Sequence, residues 1–134
     1  MLEQDMVDIS YEYLLGLPNI IDVKKEIPFL SRCIDIVMID DFNEIISIEF
    51  KVKKWRHAIE QAVNHNLGAD KAYICLPKRN ITETLRNAIE EAGIGLLMYD
   101  NSQTDKIVEA IPVRNGKKNI SVFRKMLLNN YNNV

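Results

Sequence analysis

The segment CIDIVMIDDFNEIISIEFKV, residues 33 to 52, constrains the fold most strongly, because apolar and polar side chains alternate in two runs. A period of two is typical of β-strands with two distinct faces. The Asp- and Asn-rich stretch DDFN between the runs favours a turn, so the segment predicts an antiparallel hairpin. Away from the turn, three charged residues nevertheless lie inside its strands: Asp35 in the first, Glu49 and Lys51 in the second.

The turn decides whether these charges meet. Alternation places Glu49 and Lys51 on one face of their strand. A three-residue loop of residues 41 to 43 would set Asp35 directly across from Glu49, and residues directly opposite share a face. A two- or four-residue loop would send Asp35 to the other face unless a bulge restored the phase.

Two carboxylates on a covered sheet repel each other and lose hydration unless a cation compensates. Oxygen ligands suit a hard divalent ion, Mg²⁺ or Mn²⁺. Lys51 beside them would hold the attacking water and balance charge on a phosphoryl group. The alternative is a salt bridge between Asp35 and Lys51, with Glu49 pointing to solvent.

The remaining chain predicts a helix over residues 2 to 16, a strand at 19 to 29 near a sheet edge because of Pro28, and the hairpin. The chain then continues with a helix from Trp55 to Gly68, a buried strand KAYICLP, a further helix, two strands and a last amphipathic helix. This order predicts an α/β fold with a mixed central sheet flanked by helices. We expect a single domain over 1–134, with a core at about 2–77, an α/β extension at 78–128 and a frayed tail at 129–134.

Net charge, cysteine content and the absence of targeting segments limit the possible partners and the cellular compartment. The net charge of −2 and the pI near 5.7 give no global basic excess, so any polyanion site must be local. Cys33 and Cys75 lie in apolar runs and are predicted to be buried thiols of a reducing compartment. No segment has the composition of a signal peptide or a membrane span. We expect a soluble cytoplasmic protein that needs no organic cofactor and no membrane.

The stretch IDIVMIDDFNEIISIEFKV, followed by WRHAIEQAVNH, resembles the PD-(D/E)XK nuclease superfamily. The resemblance implies the restriction-endonuclease-like core αβββαβ, with a C-terminal α/β extension in this chain. It implies that Asp35 and Glu49 bind the metal together with the main-chain carbonyl of Phe50, and that Lys51 is the catalytic lysine. Ile34 occupies the position where the motif has proline. This difference does not change any of the expected metal ligands.

The resemblance also implies residues outside the hairpin. Gln61 matches a glutamine on the helix after the motif strand, whereas His65 stands where that branch often has tyrosine. An extra acidic residue is expected from the first helix or first strand, with Glu12, Asp8 and Glu26 as candidates. The sequence does not distinguish among these three candidates.

A basic cluster follows the motif strand at Lys53, Lys54 and Arg56, where phosphates would arrive. A solvated charge run is the alternative interpretation. Trp55 beside it is more typical of a core residue than of a base-stacking platform. His65 is a further candidate for binding nucleic acid, and a solvated or capping role is the alternative for it.

These features predict a Mg²⁺- or Mn²⁺-dependent nuclease that hydrolyses DNA phosphodiester bonds, with RNA as an alternative substrate, acting as a homodimer. The other function class that the sequence permits is a non-catalytic module that keeps the nuclease fold to bind nucleic acid or protein. The sequence does not specify ends, junctions or a pathway.

Overall fold

The computed structural model describes residues 2 to 134. Its elements, in chain order, are α1 (Glu3–Leu15), β1 (Ile20–Phe29), β2 (Arg32–Asp40), β3 (Ile45–Phe50), α2 (Trp55–His65), β4 (Lys71–Pro77), α3 (Glu83–Ala92), β5 (Gly95–Tyr99), β6 (Ile107–Ile111) and α4 (Ser121–Asn132). One mixed sheet contains the six strands in sequence order, with β3, β4 and β5 parallel and the other neighbours antiparallel. The predicted α/β fold with a mixed sheet is confirmed, and β1 lies at an edge as expected.

The β2–β3 hairpin has the three-residue loop. Asp40 and Glu44 are joined by a backbone hydrogen bond of 3.2 Å, and the paired residues run from Ile39–Ile45 to Ile36–Ile48 without a shift. The next pair along this ladder is Asp35 with Glu49. The Asp40 carboxylate fixes the turn, because it accepts hydrogen bonds from the N–H groups of Phe42 and Glu44.

Helices cover both faces of the sheet. On one face α1 packs on a core that includes Ile36, Ile48 and Phe50. On the other face α2 and α3 pack on β4 and β5, and α4 packs on a neighbouring core that includes Val37 and Ile45. Glu49 alternates with Ile48 and Phe50 and therefore belongs to the face that α2 and α4 cover.

β1 changes face at Glu26, a residue with φ +55° in the middle of the strand. Val23 belongs to the core under α1, whereas Ile27 belongs to the core under α4, although both have the same parity. The pairing with β2 keeps its register on both sides of Glu26, which therefore lies opposite Asp35. A left-handed backbone at a non-glycine residue costs about 1 kcal/mol.

Two sequence predictions are wrong. Residues 129–134 do not simply fray: α4 extends to Asn132, Tyr131 is 3% exposed, and its hydroxyl donates to Asp22 at 2.8 Å. The aromatic ring supplies apolar burial that the asparagine-rich composition concealed. Cys33 is exposed, unlike Cys75, because it lies on the edge hairpin of the sheet.

No helix among residues 2 to 134 is long and apolar enough to cross a membrane.

Asp70 fastens the C-terminal segment to the sheet. Its Oδ2 accepts hydrogen bonds from the Ile45 N–H at 2.8 Å and from Arg124 at 3.1 Å, and its Oδ1 accepts from the Asn119 amide at 2.7 Å. The hydrogen bonds from Arg124, Ile45 and Asn119 outweigh the effect of burial and lower the pKa of Asp70 below its ordinary value.

We predict that Asp70→Asn lowers the free energy of unfolding by about 1–3 kcal/mol near neutral pH, because the network loses its negative charge and one of its two acceptor oxygens. The folded pKa of Asp70 is depressed, so its contribution is present above pH 3.8, the ordinary value, and disappears as the pH falls through the folded pKa. Urea unfolding at several pH values measures this. Asp41→Asn, at an exposed turn position, is the control, and an equal loss in both variants would contradict the prediction.

Candidate active site

Asp35 is held by a hydrogen bond across the hairpin. Its Oδ2 accepts from the Phe50 N–H at 2.8 Å, which directs the carboxylate toward the end of β3. Burial, together with the charges of Glu3 and Glu26, raises the pKa of Asp35, although the Phe50 N–H and Lys51 oppose the shift. The carboxylate therefore lies where a cation would be stabilised.

Glu49 is 5% exposed, which contradicts the alternative that it points to solvent. The Gln61 amide, oriented to satisfy both of its neighbours, donates to Glu49 Oε2 at 3.1 Å. Glu49 Oε1 is buried and has no hydrogen-bond partner among the residues described. Burial, followed by the charge of Asp35, raises the pKa of Glu49 to about 8.

Lys51 lies directly after β3, and its backbone N–H donates to the Cys75 carbonyl at 3.1 Å. Its positive charge lowers the pKa of both Asp35 and Glu49. The structure thus brings Asp35, Glu49, Lys51 and Gln61 together at one end of the sheet, although they come from β2, the end of β3 and α2.

One acidic residue of the first helix, Glu3, lies near Asp35 and Glu49, and sequence reasoning missed it. Glu3 Oε2 accepts from the Val52 N–H at 3.1 Å, and its charge raises the pKa of both Asp35 and Glu49. Glu3 precedes the buried Met6 and Val7 by three and four residues, and this spacing on one helix face is the signal that could have found it.

The proposed first-helix candidates are not in the site. Glu12 and Asp8 lie on an exposed part of α1 and line a shallow surface depression with Lys106, because it is the N-terminal turn of α1 that meets the end of β3. Glu26 is exposed and lies beside Asp35, where its charge raises the pKa of the aspartate.

The basic cluster leads away from the site into α2. Lys53, Lys54 and Arg56 are exposed, and the Arg56 guanidinium stacks on the Trp55 ring at 4.5 Å. Trp55 also packs against the core under α2, so the prediction that it is a core residue agrees with the structure.

His65 lies one turn beyond Gln61 and is 3% exposed, which excludes the solvated role. Burial, with the charge of Arg32, lowers its pKa to about 4. Arg32 is a second residue that the sequence did not reveal: its Nη1 donates to the Gln61 amide oxygen at 3.1 Å.

The residues present fit a divalent metal ion. Glu49 Oε1 is a buried carboxyl oxygen without a hydrogen-bond donor among the residues described, and the neighbouring carboxylate of Asp35 makes ionisation of Glu49 costly in the absence of a cation. Within residues 2 to 134, no three His, Cys, Asp or Glu side chains form a metal cluster. A set of two carboxylates, a main-chain carbonyl and water is one that Mg²⁺ accepts.

Comparisons with known proteins address the fold. No family model matches the sequence, and no curated protein matches it. Among solved structures, the SPO1766 protein of unknown function from Silicibacter pomeroyi has a TM-score of 0.64 and 14% identity, covering 99% of this chain and 86% of its own.

Two endonuclease structures are also similar. A repair endonuclease from Pyrococcus abyssi has a TM-score of 0.55 and 19% identity over 72% of this chain. EndoMS, solved in complex with double-stranded DNA, has a TM-score of 0.57 and 17% identity over 73% of this chain. The chain has a nuclease-like fold. It spans 46% and 44% of the length of these two endonuclease chains, so the likeness concerns one part of each.

We predict that Glu49→Gln stabilises the metal-free protein progressively as the pH rises. The folded pKa of Glu49, about 8, lies above its ordinary value of 4.5, so folded wild type keeps a proton that the unfolded chain releases. Wild type therefore loses stability between about pH 4.5 and pH 8, whereas the neutral amide does not. The gap should reach about 2–4 kcal/mol at pH 8.

Chemical denaturation in a chelating buffer measures this gap. Glu60→Gln, at an exposed position on α2, controls for the loss of an acidic side chain. A gap that stays constant with pH would show that Glu49 does not carry the shift.

Proposed function

We propose that this protein is a metal-dependent nuclease of the PD-(D/E)XK type that hydrolyses DNA phosphodiester bonds. The observation that carries the proposal is the buried, unpaired Oε1 of Glu49, directly across the hairpin from Asp35 and next to Lys51. A folded domain without a ligand here would bury an anionic oxygen at a cost of several kcal/mol or keep it protonated.

The roles follow from the contacts. Asp35, Glu49 and the carbonyl of Phe50 would hold Mg²⁺ or Mn²⁺, which when bound supplies positive charge to the scissile phosphate. The Phe50 N–H orients Asp35. The Gln61 amide holds Glu49 Oε2 and leaves Oε1 free to act as a ligand. Lys51 donates hydrogen bonds to the attacking water and stabilises negative charge on the phosphoryl oxygens.

DNA is the proposed substrate on two grounds. Two proteins of the same fold are described as endonucleases or were solved with double-stranded DNA. In addition, the exposed cluster of Lys53, Lys54 and Arg56 follows the catalytic lysine directly, so a bound backbone would pass from this cluster to the carboxylates. The homodimer and the cytoplasmic location stay predictions.

We predict that wild type cleaves DNA only with Mg²⁺ or Mn²⁺, and that Lys51→Ala lowers the cleavage rate by a factor of about 10² or more, because charge stabilisation at the phosphate is lost. Linear, single-stranded and branched DNA should all be assayed by gel. Lys118→Ala removes an exposed lysine distant in sequence and should leave the rate unchanged.

A second measurement separates metal binding from catalysis. Mg²⁺ should raise the melting temperature of wild type and of Lys51→Ala, but not that of Glu49→Gln, because only the last loses a metal ligand. Cleavage of no substrate, or equal cleavage by wild type and Lys51→Ala, would reject the catalytic function and favour the non-catalytic binding module.

We predict that Lys53→Gln combined with Arg56→Gln weakens DNA binding and reduces the slope of log K against log [salt] by about 2, since two phosphate contacts are removed. Fluorescence anisotropy in EDTA at several salt concentrations measures the slope. The matched pair Lys117→Gln and Lys118→Gln removes two exposed charges outside the cluster. Equal slopes for the two double variants would show that the cluster is only a solvated surface.

A further inference from the structure

A cleft of about 150 Å³ opens beside the candidate active site. It lies between the β1–β2 turn, residues 29 to 32, and the side chains of Gln61, Asn64 and His65 on α2. We call it the turn cleft. Gln61 belongs to both places, because its amide nitrogen contacts Glu49 and its oxygen contacts Arg32. The turn cleft is thus one side chain away from the proposed metal ligand.

One polar atom of a residue that lines the turn cleft has no hydrogen-bond partner in the described part of the chain. His65 is 3% exposed, yet its Nδ1 has no hydrogen-bond partner among residues 2 to 134. Burial keeps the imidazole neutral at physiological pH, so it offers one donor and one acceptor. The exposed side chains of Ser31 and Asn64 add a hydroxyl and an amide at the same cleft.

The other residues that line the cleft provide an apolar surface and a positive charge. The exposed Leu30 provides apolar surface, and the ring of Phe29, which is 2% exposed, forms the base of the cleft. Arg32 is exposed and forms no ion pair with a carboxylate in the part of the chain that the structure describes. An apolar wall, a mixed donor and acceptor set and an unpaired guanidinium at one cleft match the base edge, the base face and the phosphate of a nucleotide.

We propose that the turn cleft binds one unpaired nucleotide of the substrate strand, with its base against Leu30, Asn64 and His65 and its phosphate on Arg32. The inference rests on the proposed nuclease function, because that function makes the ligand a nucleic acid. Its consequence is a substrate class: DNA with a bulged, mispaired or single-stranded nucleotide next to the cut.

Size and pairing give the reason for this class. A cavity of about 150 Å³ is the size that holds one ring such as benzene, so a single pyrimidine-like ring can enter and a base pair cannot. A base in duplex DNA must break its stacking and pairing to enter, and this costs least for a nucleotide that is already unpaired. The turn cleft therefore discriminates by how easily a nucleotide leaves the helix.

The experiment measures binding in EDTA, which separates it from cleavage. A fluorescent duplex with a one-nucleotide bulge is compared with the same duplex fully paired. Wild type should bind the bulged duplex about tenfold more tightly, as expected for one accommodated base. Asn64→Trp and Ser31→Tyr, both at exposed positions, fill the cleft and should remove this preference while affinity for the paired duplex is kept.

Glu60→Trp is the matched control, because it adds the same ring to an exposed position of α2 that does not line the cleft. It should keep the tenfold preference. Circular dichroism verifies that every variant is folded.

Each outcome of this experiment either supports or overturns the proposed nucleotide site. A preference that is lost on filling supports the turn cleft, even if Mg²⁺-dependent cleavage is absent and the proposed nuclease function fails. Equal binding of both duplexes by wild type, a preference that survives both filling substitutions, or no binding to either duplex overturns the inference, even if the protein cleaves DNA.

Discussion

The antiparallel register of β2 and β3 is the constraint on which the site depends. Because the loop has three residues, Asp35 lies across from Glu49, and the Phe50 N–H is within 2.8 Å of the Asp35 carboxylate. A shift of one residue would move Asp35 to the face under α1 and leave Glu49 without its neighbour. The hydrogen bonds of Asp40 in the turn therefore determine the geometry of the carboxylates five residues away.

The surroundings of the carboxylates explain how the fold tolerates them. The apolar cores on both faces hold the strands rigidly, while the site residues gather where β3 ends and α1 begins. Three acidic side chains, Glu3, Asp35 and Glu49, raise the cost of ionisation, and Lys51 offsets only part of it. Such a concentration of like charge in a partly buried position is typical of functional sites rather than of stabilising ones.

Much of the hairpin could be predicted from the sequence, because alternation and turn composition are local properties. The pairing of Asp35 with Glu49 was one of two open alternatives, and the observed loop selects it. Glu3 was missed although its spacing from the buried Met6 and Val7 is visible in the sequence. Arg32 could not be predicted, because its contact with Gln61 depends on how β2 and α2 pack together. The sequence could not exclude Glu12 and Asp8 as neighbours of the carboxylates, because the helical pattern does not show which turn of α1 meets the sheet end.

The left-handed residue Glu26 links the surroundings of Asp35 to the hydrophobic cores on both faces of the sheet. At this point β1 passes from the layer under α1 to the layer under α4, and Asp35 is the residue directly beside the crossing. Close-packed interiors transmit displacement rather than absorb it. The helix α4 packs on β1 and on the core that contains Ile27. The packing under the C-terminal helix therefore extends to the part of the β1–β2 pair that carries Asp35, at the end of the molecule where the carboxylates lie.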